Sequence, residues 1–457
     1  ALGFLTPDFL VQELEKRWTC RAEVESLKVR LWGQAGLELK GVRLGPVDEF
    51  VTKGTPLAER PAMERVEVGA DLAKVEVEVG DLLQRRINIG QLLVQDVTIE
   101  TKVGRDGRAS VQDLFESPGR KPAGKTAANA DGPSGEPVST REVKGAGVVV
   151  QVSETPGAGK EAGNYSAEDM EVSAFADHVE IRNGKIVATL ESGSSRVTLS
   201  SFHLKLSQIE VDSNDLLKHN HAAFSFSGDL VVEEPEAQVK QISISMAGDG
   251  EVRPFDPASG KIDPQWVSDL TIKKGSAINT FPMIEKLREL LSGVDTAGVD
   301  LDDLQIRGDL TRDAGTRIAG HAGKFELKKN LVLPLTDTDF IFAAGSWLDS
   351  GADQHRLRGA VMASDELTAK LTKKVDDYLR KKAKGFYSDS LTELVLQPAM
   401  RDGRIAFDFV SEGDLGDPEV DILTPFGNLS DLIDQGKETI KNLKDVGKSL
   451  LKGLFGK

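Results

Sequence analysis

The side chains that could do chemistry are few and scattered. The six histidines are His178, His203, His219, His221, His321 and His355. Only His219-Asn220-His221 forms a close pair. On a strand, residues two apart share a face, so two imidazoles could meet a metal there, with Asp212 or Asp215 adding oxygen. The plainer reading is a polar turn. Val299-Asp300-Leu301-Asp302-Asp303 lacks the glycine and closing glutamate of a calcium loop and reads as a solvated turn. Cys20 is the single cysteine, so neither an internal disulfide nor a zinc-type cysteine spacing exists. The chain has no GxSxG elbow, HExxH helix, P-loop or GxGxxG fingerprint. A carboxylate pair for glycoside hydrolysis has no positional cue. The expectation is a protein that is not an enzyme and carries no cofactor and no metal.

Composition narrows the classes further. A formal charge of −16 argues against nucleic acid, whose phosphates need clustered Lys and Arg. Four tryptophans and three tyrosines are too few for the aromatic platforms of a polysaccharide binder. With 39% hydrophobic and 5% aromatic residues, 457 residues suit a thin, extended sheet better than several thick cores. No run reaches the ~18 apolar residues of a membrane span. The opening Ala1-Leu2-Gly3-Phe4-Leu5 reads as the exit of a removed signal peptide or anchor, or as an arbitrary boundary.

The elements that must position any site show a rhythm of two. Val75, Val77 and Val79 alternate with charged residues; so do Ile87 and Ile89, and Val97 and Ile99. The pattern returns at Val179 and Ile181, Leu204 and Leu206, Ile242 and Ile244, Leu331 and Leu333, and Phe407 and Phe409. Successive strand side chains point to opposite faces, so the rhythm makes a sheet with one oily face and one polar face. That oily face can be closed into a sandwich or barrel, or left as a gutter.

Along the chain, Thr6 and Pro7 begin a short helix over about 7–18, with Phe9, Leu10 and Leu14 on one side. Strands follow to about Val103, with a parity slip that suggests a turn or bulge near Ala73. One helical turn is expected at Val111 to Phe115. Residues 117–170 form a Pro/Gly/Ala-rich linker, with a lone strand candidate at 144–153. Asn183-Gly184 predicts a hairpin, as does Asp402-Gly403. Helices are predicted at 213–219, 264–270, 281–292 and 365–384. The last helix begins near Asn428, with Leu432, Ile433, Ile440 and Leu443 on one side and lysines elsewhere. It could lie on a membrane or plug the end of the sheet.

Two segments carry a family resemblance. Val75-Glu76-Val77-Glu78-Val79-Gly80-Asp81-Leu82-Leu83 runs through Ile87, Ile89 and Asp96-Val97-Thr98-Ile99 into Asp106-Gly107-Arg108 and Asp113-Leu114. Phe175 to Leu190 forms the second. This order resembles the amino-terminal module, linker and reopening sheet of the AsmA-like proteins of Gram-negative bacteria, relatives of TamB. Gly413-Asp414-Leu415-Gly416-Asp417-Pro418-Glu419-Val420 before an amphipathic helix is similar to their usual ending. The family carries a transmembrane helix before its first strand; the resemblance implies that Ala1 to Leu5 is the remnant of one.

The resemblance implies a mainly β fold: an elongated, twisted antiparallel sheet forming an open hydrophobic groove, with a short N-terminal helix and a C-terminal amphipathic helix. The implied modules are 1–116, the linker 117–170, a main groove module 171–425 and the helix 426–457. With ~20 strands about 4.8 Å apart, the sheet would extend roughly 95 Å. The implied function is periplasmic lipid binding or transfer in outer-membrane biogenesis or phospholipid transport, with an inner-membrane anchor. The implied partners are phospholipid acyl chains, envelope proteins or further copies of the chain. The seventeen alternating residues from Val75 to Phe409 named above, Val79 and Ile87 included, are then the candidates for lining the groove. The alternative is an envelope scaffold with a closed sandwich or barrel and no lipid conduit.

Overall fold

The computed structural model describes residues 6–30, 35–77, 86–104, 108–115, 173–190, 195–212, 214–235, 239–280, 283, 285–286, 308–349, 351–382, 392–393, 396–414 and 417–423. The expected linker, the strand at 144–153, the turn at Asp106-Gly107, most of the helix at 281–292 and the C-terminal helix lie outside these residues.

The chain opens with helix α1 (Pro7–Arg17). Thr6 caps it, its side-chain oxygen accepting from Phe9 N at 3.2 Å. Val11 is its buried residue and Leu14 packs beside it. Phe9 is 41% exposed, so the buried side is turned away from the Phe9–Leu10 side expected from spacing. Strands β1 (Cys20–Glu23), β2 (Ser26–Arg30) and β3 (Ala35–Pro46) follow, then helix α2 (Glu49–Gly54). The long strands come next: β4 (Val68–Val77), β5 (Arg86–Val103), β6 (Ser173–Leu190), β7 (Ser195–Val211), β8 (Asn220–Glu234) and β9 (Val239–Phe255).

Shorter strands complete the chain: β10 (Ile262–Ile272), β11 (Ala277–Ile278), β12 (Gly308–Asp309), β13 (Ala314–His321), β14 (Lys324–Leu327), β15 (Leu331–Pro334), β16 (Thr338–Phe342), β17 (Trp347–Asp349) and β18 (Gln354–Ala363). Helix α3 (Asp365–Lys382) is followed by β19 (Met400–Arg401), β20 (Arg404–Asp414) and β21 (Pro418–Ile422). A hairpin turns at Asp402-Gly403, both with positive φ, as the sequence predicts.

All the strands form one twisted, open sheet. The pairings run from β1 and β2 through β3 to β9 in order, then through β10, β13, β14, β17, β18 and β20 to β21. No pairing among the described residues joins β21 back to β2, so the strands build neither a sandwich nor a barrel. Two features depart from expectation. The sheet is mixed, because β5 and β6 pair in parallel, while the other pairs are antiparallel. It is also shorter than ~20 ranks. β1 and β2 lie end to end along β3, and β10 and β11 along β9, so several strands share a rank. At about 4.8 Å per strand, roughly fifteen ranks span on the order of 70 Å.

Asn183-Gly184 is not a hairpin. It lies inside β6, where Asn183 takes φ 53° and the register to β7 shifts. Aspects of its neighbours explain why a turn dipeptide is used there. Gly41 in β3, Asp96 in β5 and Ser201 in β7 also have positive φ. The pairings Leu72↔Gln95, Gln95↔Arg182 and Gly184↔Phe202 set these residues in one line across the sheet. It is a row of positive-φ residues at which strand parity flips, with register-shifting bulges where β6, β7 and β8 meet. No turn or bulge falls at Ala73, since Leu72 to Val75 pair in unbroken register with both neighbours and the β4–β5 register shifts instead between Glu76 and Val77. Asn183 Nδ2 donates to Asp96 Oδ1 at 2.6 Å, tying two residues of the row together.

Residues 264–270 are strand, not helix. Trp266, Ser268, Leu270 and Ile272 share a face, and Ser268 breaks the apolar alternation that would have announced it. Its hydroxyl, buried, donates to Asp249 O at 3.0 Å. Of the helix expected at 213–219, the described residues 214–219 are a run of turns organised by Asp212, which accepts from Asn214 N.

Candidate functional site

Because paired residues share a face, register traces side chains from strand to strand. One row reads Leu37↔Val75↔Leu92↔Val179↔Leu206↔Phe224. The next reads Leu39↔Ala73↔Val94↔Ile181↔Leu204↔Phe226. Beyond the positive-φ line the apolar rows resume in opposite parity, as Val68↔Ile99↔Ile186↔Leu199↔Leu230↔Ile244 and Ala188↔Val197↔Val232↔Ile242. That line therefore keeps one face apolar along strands of up to 18 residues. Every residue in these four rows is partly exposed. Among the described residues, no buried core cluster packs on the first two rows, while Val68 and Ile244, the two ends of the third, pack against the small and the large core.

The face continues into the second half of the sheet, where it is sealed. Leu333↔Phe340↔Val361↔Phe407 and Phe342↔Gly359↔Phe409↔Ile422 are its rows there. Phe340 and Val361 are fully buried, and Phe407 and Phe409 nearly so. Helix α3 lies over them with Leu367, Leu371, Val375 and Leu379 inward. It starts directly after β18, with Ser364 Oγ accepting from Leu367 N at 3.1 Å. It is fastened by Thr368 Oγ1, which accepts from Ile405 N at 3.2 Å, and by Asp376, which accepts from Thr392 Oγ1 at 2.9 Å. Phe340 stacks on Phe409 with centroids 5.3 Å apart, and Phe342 meets both rings edge-on.

Between the two halves, aromatic rings lie over glycines. Phe226 faces Gly248, Phe224 faces Gly250 and Trp266 faces Gly320. A Cβ on Gly248 would stand 2.8 Å from the Phe226 ring, and one on Gly250 2.9 Å from Phe224. A Cβ on Gly320 would collide with the indole of Trp266. The missing side chains let the rings lie flat across the backbone. Trp266 also meets Phe224 and Phe325 edge-on, at 6.4 and 5.8 Å.

The other corner of the sheet is closed by α1. Val11, Cys20, Ala22, Leu44 and Leu114 form a small core, with Trp18 edge-on to Phe115 at 5.4 Å. Arg60 holds Glu15 at 2.8 Å. Burial, with Glu15 nearby, pushes the Cys20 thiol up to about 11.

The sequence candidates divide accordingly. Val75, Ile99, Val179, Ile181, Leu204, Leu206, Ile242 and Ile244 lie on the partly exposed rows; Val77 pairs with Ile89 and Val97 with Ala70 outside those rows, and all three are partly exposed too. Phe407 and Phe409 lie on the same face under α3, Leu333 is buried in the same core and Leu331 packs against it, so they pack against protein rather than line an open groove. Val79 and the side chain of Ile87 lie outside the described residues. Sequence reasoning passed over Leu37, Leu39, Leu92, Val94, Phe224 and Phe226. The spacing Phe224-Ser225-Phe226 carries the period of two and could have revealed the last pair.

The polar face carries ion pairs instead. Glu180 is held by Arg182 and His178, Asp269 by Arg317 at 3.5 Å, and Glu412 by Arg356 at 3.4 Å. His219 Nδ1 lies 3.0 Å from Glu210, whose carboxyl its hydrogen bond holds below the usual range. Asn220 between the two histidines is buried and bonds the backbone of Phe255 in both directions. No cluster of three metal-ligating side chains occurs among the described residues. No described helix is long and apolar enough to cross a membrane. No protein-family model matches the chain, and no curated protein matches it.

Proposed function

We propose that this protein binds phospholipid acyl chains along the open apolar face of β3–β9, and serves lipid transport or outer-membrane biogenesis in the periplasm. The observation that carries the reading is the set of unbroken apolar rows crossing β3 to β8, partly exposed in every strand and free of any described covering layer. Large contiguous apolar surface left to solvent marks an interaction site. An acyl chain loses about 0.8 kcal/mol per CH₂ exposed to water, so a two-chain lipid leaving a bilayer faces roughly 20 kcal/mol or more. Rows of Val, Ile, Leu and Phe replace bilayer contacts and lower that barrier without any sequence-specific site. The AsmA-like resemblance supplies the rest of the proposal: the periplasmic setting, the inner-membrane anchor, and envelope partners or a second copy to extend the route.

The test is phospholipid carried by the gently purified protein, read by mass spectrometry. Ile181→Asp and Leu206→Asp, on neighbouring rows of the open face, are expected to lower bound lipid several-fold while leaving the circular dichroism of the sheet intact. Wild-type protein without lipid, or lipid content unchanged in both variants, overturns the reading.

A further inference from the structure

The polar face of the same strands holds a hollow of about 460 Å³ that the apolar face does not explain. Its floor is Val187, Thr189 and Thr198, short side chains paired across β6 and β7. Its rim is long and charged: Arg65, Lys102, Lys185 and Arg196, with Glu100 and Glu233. The cross-strand pairs Lys102↔Thr189, Thr189↔Arg196 and Arg196↔Glu233 fix this arrangement in the register. Short residues at the centre and long ones around them are what make a concavity on an otherwise flat sheet surface.

The charge of the hollow runs against that of the chain. The whole protein carries −16. The hollow sets four cations against two carboxylates. Arg65 is partly neutralised by buried Glu67 at 2.5 Å, and Arg196 reaches Glu233 only at 3.9 Å. Lys102 and Lys185 have no ion partner among the described residues. A guanidinium fork, two ammonium groups and threonine hydroxyls around one hollow form a donor set suited to phosphate oxygens.

We propose that this hollow binds the phosphate group of a small organic phosphate, with Lys102, Lys185 and Arg196 as its principal contacts. The site is on the face opposite the apolar rows, so it stands or falls independently of lipid binding by those rows. The phosphate could be free in solution or borne by a lipid headgroup at a membrane surface.

The test uses the full chain with glycerol 3-phosphate in calorimetry, and separately with vesicles of phosphatidylglycerol or phosphatidylcholine. Binding of glycerol 3-phosphate, weakened by salt, identifies a soluble ligand. Binding to phosphatidylglycerol vesicles alone identifies a headgroup. In either arm, Lys185→Gln with Arg196→Gln is expected to weaken binding about tenfold or more, as loss of two charge-assisted hydrogen bonds requires. Glu233→Gln removes a competing carboxylate and is expected to tighten it. Thermal melts check that each variant is folded, and Lys218→Gln in the β7–β8 loop is the control. No binding in either arm, or binding that both the double variant and Glu233→Gln leave unchanged, overturns the proposal.

Discussion

The β3–β9 half and the β13–β21 half of the sheet share one alternating rhythm and one continuous apolar face, yet only the second is sealed across its rows, while α1 closes just the Leu44–Val68 corner of the first. In the first, Leu206 and Phe226 stay partly exposed; in the second, Phe407 and Phe409 are buried under α3. Strand length accounts for much of the difference. Helix α3 has 18 residues and is about 27 Å long. β18 and β20, with 10 and 11 residues, are roughly 35 Å long, so one helix nearly spans them. β6 has 18 residues and extends on the order of 60 Å, more than one such helix can cover. Alternation defines which face is oily; the length of the strands and the next element in the chain decide whether it is closed.

The largest expected effect breaks the two halves apart by stability. Phe409→Ala removes a fully packed ring that stacks on Phe340, and is expected to cost about 3–5 kcal/mol. Leu206→Ala removes a partly exposed side chain, whose neighbours already meet solvent, and is expected to cost about 1–2 kcal/mol. Denaturant melts of the two variants measure the gap. Equal costs would mean that the open rows are as well packed as the sealed ones.

The boundary between the halves should be sensitive to a single methyl group. Gly320→Ala drives a Cβ into the Trp266 indole and is expected to cost about 1–3 kcal/mol by overpacking. Gly315→Ala, in the same strand, meets only Leu270 O at 4.0 Å and should be nearly neutral. A shift in tryptophan emission for Gly320→Ala, absent in Gly315→Ala, would locate the strain at the ring. Matching melts for the two variants would show that the ring moves aside freely and that the glycines do not set the boundary.

How far this could be read from the sequence depended on the kind of signal. Val75, Val179 and Leu204 announced their face by strict alternation, which is local. Asn183-Gly184 misled because the same αL-tolerant dipeptide serves a hairpin and a bulge, and only the partner strands, with Asp96 and Ser201 in line, choose between them. Ser268 hid β10, since a hydroxyl on the oily face is tolerated only through its bond to Asp249 O. The amphipathic pattern of Leu367, Leu371, Val375 and Leu379 marked a helix, but nothing local said that it would lie on Phe407 and Phe409 and remove them from the groove. The hollow around Lys185 was illegible for the same reason, because its residues come from five separate stretches.

The smallest expected effect separates the halves by pH. On the outer face of the open half, Arg182 donates to both oxygens of Glu180 at 2.7 Å, and His178 approaches at 3.2 Å. These bonds, that from Arg182 foremost, hold the Glu180 carboxyl down to about 2 against an ordinary 4.5. A depressed carboxyl stabilises the folded state fully above its ordinary value, and loses that contribution as pH falls from about 4.5 through about 2. Solvent screening keeps the amount under about 1 kcal/mol. Glu180→Gln should therefore loosen β6 and β7 at pH 6, seen as faster amide exchange there, and match wild type near pH 2. The apolar layer of Phe340, Phe407 and α3 contains no such carboxylate, so β16, β18 and β20 should exchange alike in both proteins across the same range. A uniform change over all strands would mean that the two halves unfold together, and that the open face draws its stability from the sealed one.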